Sequence, residues 1–481
     1  MCEYVYENGR KCELKAVEGS KYCALHIPYD EGERLFGERI EELKEEAFNQ
    51  EIQKGVTYFE GVHLYNIRIS DFRSEKSLIF KNSRIKSLVI ESSKVGGLML
   101  HNCTINRLVI IDNKLKTILV KNCRIFGLNI LRLDFENSIY IRDSVVRYLM
   151  MNSVEHVGKE KPSEEEYGER GHVYGRIEVS GLRDVRRITL NVMYPLLKKY
   201  LKELGIEIKE RRRIVKAKML VIRNIQFDPN PRFKRQVRLS IRNFHGQLLL
   251  ENLEVLGHME IFGGRIKLPE FVHMNIHNNL ILKGTSFYGD STWNLTVLPN
   301  LIAELNVSGF MIVEKCRFSN PRMEEIFYRL ARTSWEKSGD KEKADEYYYL
   351  EMLAKRKEKL SVRGKRYRRL LYKAEAYFEW LFVDLTCKYG TDWKRPILIW
   401  LIAVNVLFPL VYYMTESVEG LRAILNSFLD YEYFSIVTAT TLGYGDYHPA
   451  GIGKVFASLE ALFGMFMWAV FLTVFARKYM R

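Results

Sequence analysis

Nothing in this chain reads G-x-x-x-x-G-K-[ST]. Gly453-Lys454 has His448 where the first glycine belongs and Val455 where the hydroxyl belongs, so this phosphate-cradling loop is absent. No G-x-G-x-x-G follows a strand-like run, which leaves no visible dinucleotide-binding domain. No apolar helix carries Arg at every third position, which argues against a charged span that moves in a membrane field. There is no nucleophile–base pair and no metal-ligand set with an open position, so the chain is expected not to be an enzyme. The N-terminus, MCEYVYENGRK, is polar and carries no apolar leader, which predicts a large cytoplasmic part. Glutamine is scarce at five residues while Lys and Glu abound, a bias found in thermophilic prokaryotes.

What is present divides sharply. About 390 residues of mixed polarity precede a C-terminal stretch with two long apolar runs. Pro396 to Met414 is nineteen residues without a charge. At 1.5 Å per residue this is roughly 28 Å of helix, close to the hydrocarbon thickness of a bilayer. Val455 to Ala476 is a second run with a single charge, Glu460. Between them Tyr431 to Thr441 is mostly apolar but spans only about 15 Å, so it is expected to enter and leave on one side. Non-helical backbone at that depth is tolerated only where protein buries it or water lines it.

The residues that follow are Thr440-Thr441-Leu442-Gly443-Tyr444-Gly445-Asp446. An ion stripped of water needs a stack of oxygen ligands, and backbone carbonyls supply them if some residues accept unusual backbone angles. Thr441 to Gly445 resemble the potassium-channel filter pattern T-V-G-Y-G, with Leu for Val. The resemblance implies that Gly443 and Gly445 give that freedom, that the Thr441 hydroxyl adds an oxygen, and that Tyr444 packs outward to brace the loop. Span, half-helix, T-T-L-G-Y-G-D and span together resemble the pore of two-span prokaryotic potassium channels, over about Lys394 to Arg481. The resemblance implies a potassium-selective filter of Thr441, Leu442, Gly443, Tyr444 and Gly445, supported by Thr440 and Asp446. It also implies K+ as the permeant ion and a homotetramer, since one chain supplies a quarter of a ring. Gly464 lies near the place of a gating hinge in that family; a packing glycine is the alternative. Glu460, four residues earlier on the same face, is expected near the outer mouth, paired with pore-helix groups. The rival reading is a membrane-anchored binding scaffold with a non-conducting pore.

Lys394 and Arg395 precede the first span and Arg477, Lys478 and Arg481 follow the second, so both termini are expected in the cytoplasm of a two-span cell-membrane protein. Trp393, Trp400, Tyr412 and Tyr413 are expected at the two interfaces. The net charge of +15 is partly local: Lys355 to Lys373 holds ten Lys or Arg against Glu358 alone. Such a cluster before a span faces anionic headgroups or forms a solvated helix face. Charge alone would allow nucleic-acid binding, but no reading motif accompanies it and none is expected.

At the other end stand Cys2, Cys12, Cys23 and His26. Cytosolic thiols are reduced, so a metal is favoured over disulfides. Three thiolates and an imidazole close a tetrahedral structural zinc site, and the string resembles small treble-clef-like zinc modules. Unligated cysteines are the alternative. Glu38 to Lys54 reads as a helix. From Ser77 the sequence repeats every ten residues, with apolar residues at places two, four and nine, as in Leu78, Phe80 and Ile85 or Leu108, Ile110 and Leu115. Place seven is small or polar: Ser83, Ser93, Cys103, Asn113 and Cys123. A fixed period of alternating strands means a solenoid whose coils bury one another. Two decads make the twenty-residue coil of the pentapeptide-repeat family, a right-handed β-helix, which half of each decad resembles. Cys103 and Cys123, one coil apart, read as stacked turn residues rather than ligands.

The expected architecture is multidomain. It comprises a zinc module (1–30), a helical linker (31–55), a mainly-β solenoid (56–155), a loop and helical insertion (156–235) and a second solenoid block (236–320). A helical, basic connector (321–393) broken at Gly339 and an all-α pore domain with a re-entrant helix (394–481) complete it. The gate is expected to answer to the solenoid; the gating stimulus is not encoded in any motif.

Overall fold

The computed structural model describes residues 1–157, 176–190, 215–230, 232, 236–294, 296–298, 300–361, 366–420 and 428–480. They form two compact units, Met1–Met323 and Glu324–Arg481.

Among the described residues the first unit is built on a twenty-stranded parallel ladder running from Tyr58 to Phe318. Its register shows the coil directly. Leu78 pairs with Leu98, which pairs with Ile118, and Leu88 pairs with Leu108, which pairs with Leu128. The places-two residues thus stack in two columns, one from odd and one from even decads, all buried. Each decad turns at place six, where Asn82, Ser92, Asn102, Asp112 and Asn122 take a positive φ of 51° to 54°. Asn and Asp bear that conformation at the least cost after glycine.

Place seven is small and polar for a reason the repeat alone did not reveal. At the turn the place-seven N–H has no ladder partner, so the side chain one coil further on supplies it. Ser93 N donates to Asn113 Oδ1 (2.8 Å) and Cys123 N to Ser144 Oγ (3.0 Å), and before the repeat Phe72 N donates to Ser93 Oγ (3.1 Å) in the same way. Cys123 Sγ accepts from Cys103 N at 3.4 Å, so these cysteines are stacked turn residues. Each such bond gives a buried turn N–H a partner.

The interval 156–235 differs from expectation. Arg176–Ser180, Arg187–Leu190 and Val215–Gln226 are strands of the same ladder, so among the described residues the solenoid is one body and not two blocks. Ile177 pairs with both Ile139 and Leu220. The step from 177 to 220 is 43 residues, about two coils' worth of chain in one coil. The expected helix at Asn191–Glu210 and most of the loop from Glu155 to Gly171 lie outside the described residues. The short alternations Ile177/Val179 and Ile188/Leu190 carried the strand signal, but charged neighbours obscured it.

Two helices precede the ladder, Tyr29–Phe36 and Arg39–Gln53. The second is more than a linker. Phe48 is fully buried, with ring centroids 4.7 Å from Phe59 and 6.2 Å from Phe80. It covers the end of the first coil, which would otherwise expose its apolar cross-section.

The second unit is helical. Pro321–Lys337, which begins at the boundary, and Lys341–Ser361 form a hairpin broken at Gly339, joined by buried Glu351 accepting from Arg332 at 2.8 Å. Arg366–Glu379 follows and runs through a π turn (Trp380–Asp384) to Cys387. Among the described residues two helices are long and apolar enough to cross a membrane, Lys394–Thr415 and Gly453–Tyr479, and Phe428–Ala439 lies between them.

Candidate functional site

Among the described residues the twelve of Phe428–Ala439 reach about 18 Å, too short to cross a bilayer. It ends in a tight turn, with Thr441 N on Thr438 O (3.1 Å) and Leu442 N on Val437 O (3.0 Å). Thr440 closes the turn through Oγ1 on Ile436 O at 2.6 Å. Beyond it alternate residues are left-handed: Thr441 at φ 58°, Gly443 at 57° and Gly445 at 80°. Ordinary strands point successive carbonyls to opposite sides. Alternating left- and right-handed residues instead turn them to one side, the arrangement a cation path needs.

The left-handed backbone of the two glycines was legible in the sequence, whereas that of Thr441 was not. A β-branched residue at positive φ costs on the order of 1–3 kcal/mol, and such outliers persist where the surroundings impose them. Space is not the reason for glycine here, because a Cβ on Gly443 or Gly445 would meet nothing within 4 Å of this chain. Tyr444 is 67% exposed in the single chain, so the bracing expected of it is not made within one chain. Asp446 Oδ1 accepts from Tyr447 N (3.1 Å), and Tyr447 stacks edge-on to Tyr433 of the short helix. A two-residue antiparallel pairing of Val418–Glu419 with His448–Pro449 ties this loop to the end of the first span.

Gly464 is where the second span touches the short helix. A Cβ there would lie 2.2 Å from the Ala439 carbonyl oxygen, and the helix runs unbroken through the position. In this conformation it is a packing glycine. Glu460, one turn earlier, is fully buried. It is paired with Ser435 of the short helix, as expected, and also with Tyr412 of the first span at 2.6 Å. Tyr412 was expected at a membrane interface and is instead completely buried, because its hydroxyl serves this acid. No hydropathy pattern separates it from its exposed neighbour Tyr413.

Sequence reasoning also missed Arg477 as a contact residue. At the end of the second span its guanidinium donates to Asp345 Oδ1 (2.9 Å) and to the Tyr389 carbonyl (3.3 Å), and it lies over the Tyr348 ring. Tyr389 sits in a turn of three consecutive left-handed residues, Lys388, Tyr389 and Gly390. The same turn is held by Arg356, which donates to Asp384 (2.6 Å) and to the Tyr389 hydroxyl (3.2 Å). The basic cluster is correspondingly less free than its composition implied. Lys355, Arg356, Lys357 and Lys359 pair with Glu351, Asp384, Glu324 and Glu375/Glu379. Arg366, Arg368, Arg369 and Lys373 remain on an exposed helix beside exposed Leu370, Leu371, Tyr377 and Phe378.

In the first unit, Cys2, Cys12, Cys23 and His26 come together, all buried, with their ligand atoms within 4.8 Å of one another. Cys12 Sγ is 4.0 Å from Cys23 Sγ, and His26 Nδ1 is 3.1 Å from Cys23 Sγ and 3.7 Å from Cys2 Sγ. His26 Nε2 donates to the Glu60 carbonyl at 2.9 Å, which leaves Nδ1 as the free lone pair facing the sulfurs. Tyr4 stacks on the imidazole at 4.1 Å. Burial pushes the Cys12 and Cys23 thiols up and His26 down, so the cavity disfavours thiolates unless a cation shares it. Lys44 is buried nearby with its ammonium on the Ala24 and Ile27 carbonyls; burial lowers it to about 7 and Cys23 acts the other way. The cluster can hold a metal ion, and with three thiolates around a divalent ion an ammonium beside it offsets the net negative charge.

Over residues 398–481 the sequence matches the family model described as Ion channel. No curated protein and no solved structure matches the chain. That match falls on the two candidate spans, the short helix and the left-handed strand, and supports an ion channel embedded in a membrane by two spans.

Proposed function

We propose that the chain is one subunit of a potassium-selective channel in which four copies close a ring around Thr441–Gly445. One observation carries this reading: the alternation of left-handed residues at 441, 443 and 445, set between a helix too short to cross and a spanning helix. Thr440 and Asp446 support the filter from its two ends. The exposure of Tyr444 fits a ring, because a neighbouring subunit offers the packing one chain does not. Basic flanks at both span ends put the termini in the cytoplasm and the filter outward. The helix Arg366–Glu379, apolar and basic by turns, lies on an anionic bilayer surface. Purified protein in liposomes tests the function: K+ flux that far exceeds Na+ flux is expected, whereas no flux above empty liposomes leaves the scaffold reading in its place.

The metal is zinc in a closed structural site, and the pentapeptide-like solenoid it precedes is the regulatory part. Intact protein holds about one zinc per chain. Cys23→Ser lowers that content and opens residues 1–30 to protease while the pore still assembles. Metal analysis that finds no zinc removes the site.

Gating by the cytoplasmic part acts through the Arg477 contact. A connector that moves displaces the end of the second span through Asp345 and the left-handed turn. The pair is partly exposed, so its strength is on the order of 1 kcal/mol, about five-fold in an open–closed equilibrium. Arg477→Glu and Asp345→Arg each shift single-channel open probability by about that factor, and the double reversal restores it. Unchanged open probability in both single variants ends this account of coupling.

A further inference from the structure

Behind the short helix lies a polar cluster that takes no part in lining a path for ions. Glu460, Ser435 and Tyr412 come from three different helices, and all three are fully buried. Two oxygen–oxygen contacts join them to one another and a third joins them to the backbone. Tyr412 donates to Glu460 Oε2 at 2.6 Å, Ser435 Oγ meets Glu460 Oε1, and Ser435 Oγ lies 2.7 Å from the Val404 carbonyl oxygen. At such lengths each contact needs a proton between its oxygens. Tyr412 and Ser435 bring one each.

The Val404 carbonyl can only accept, and the helix leaves it without a donor. Ala403–Leu407 is a π turn, in which Phe408 N reaches back to Ala403 O. By the same step the partner of Val404 is Pro409, which has no N–H. The Ser435 proton is therefore committed to Val404. The Ser435–Glu460 contact still needs a third proton, and the carboxyl is the group that can carry it. Among the described residues the hydrogen bonds of the Glu460 side chain go to these two hydroxyls, and no Lys, Arg or His pairs with it.

We infer that Glu460 is a neutral carboxylic acid that donates to Ser435 and accepts from Tyr412, and that this clamp positions the short helix, hence the filter, between the two spans. The inference rests on the pore reading above. A protonated acid removes the cost of a charge at membrane depth. It also completes a network in which every buried oxygen is satisfied, the condition under which such a network rigidifies its surroundings. Ser435 lies five residues before Thr440, so movement of this helix moves the filter directly.

The test compares full-length protein, Glu460→Gln and Glu460→Ala in liposomes, together with infrared spectra of the carbonyl region. Glutamine repeats the pattern, its NH2 donating to Ser435 and its oxygen accepting from Tyr412. It is expected to keep the K+ over Na+ flux ratio within about two-fold. Alanine leaves the Tyr412 hydroxyl without an acceptor and uncouples Ser435 from it, and is expected to lower that ratio by about ten-fold or more, or to prevent assembly. The infrared band of a protonated carboxylic acid at neutral pH is expected in the parent protein and absent from Glu460→Gln. A carboxylate signature in place of that band, or Glu460→Gln behaving as Glu460→Ala does, overturns the inference. Absence of flux in the parent protein overturns the pore reading instead, and the infrared comparison still decides the proton.

Discussion

Gly443→Ala is expected to abolish K+ flux, or to leave flux that no longer prefers K+, in liposomes where the parent protein conducts. At φ 57° an L-residue pays roughly 1–2 kcal/mol, and a four-fold ring multiplies that to roughly 4–8 kcal/mol. This is enough to drive the strand to another conformation and turn carbonyls away from the axis. The change is local, because a Cβ at this position meets no atom of its own chain within 4 Å. Membrane insertion and subunit assembly should therefore persist, and size-exclusion profiles unchanged from the parent protein would show that conduction alone is lost. A variant that conducts and selects as before would sink the assignment of Thr441–Gly445 as the filter.

Gly464→Ala is expected to have a comparably large effect by a different route. The added methyl would lie 2.2 Å from the Ala439 carbonyl oxygen, a backbone atom that cannot rotate away. Either the second span or the short helix must shift, and overpacking of that kind costs about 1–3 kcal/mol or more. Because Ala439 immediately precedes the turn at Thr440, the shift reaches the filter. Loss of selectivity or of assembly is the expected outcome. If alanine instead changes only open probability, with selectivity and thermal stability intact, Gly464 acts as the hinge that its position resembles and not as a spacer.

The two glycines show how differently sequence and tertiary structure contribute. Gly443 and Gly445 are local requirements: a backbone angle is a property of the residue itself, so a short motif records it. The same holds for the ten-residue period of the solenoid, where strand alternation and the Asn-rich turns follow from each residue and its neighbours in sequence. It also holds for the two spans, whose length and lack of charge answer to the bilayer.

Three features depended on distant partners and only the fold decided them. Tyr412 looks like any interfacial tyrosine until Glu460 and Ser435, 48 and 23 residues away, meet it. Arg477 counts as one more basic flank until Asp345, 132 residues earlier, faces it. The strands at Arg176–Ser180 and Val215–Gln226 read as an insertion until the ladder pairs them across a 43-residue step from Ile177 to Leu220. Residue type and period set the repeat, the spans and the left-handed strand, because these answer to local sterics and solvent. Partner choice among buried polar and charged groups needed the tertiary structure, since hydrogen bonds act over about 3 Å of space and leave no mark on sequence spacing.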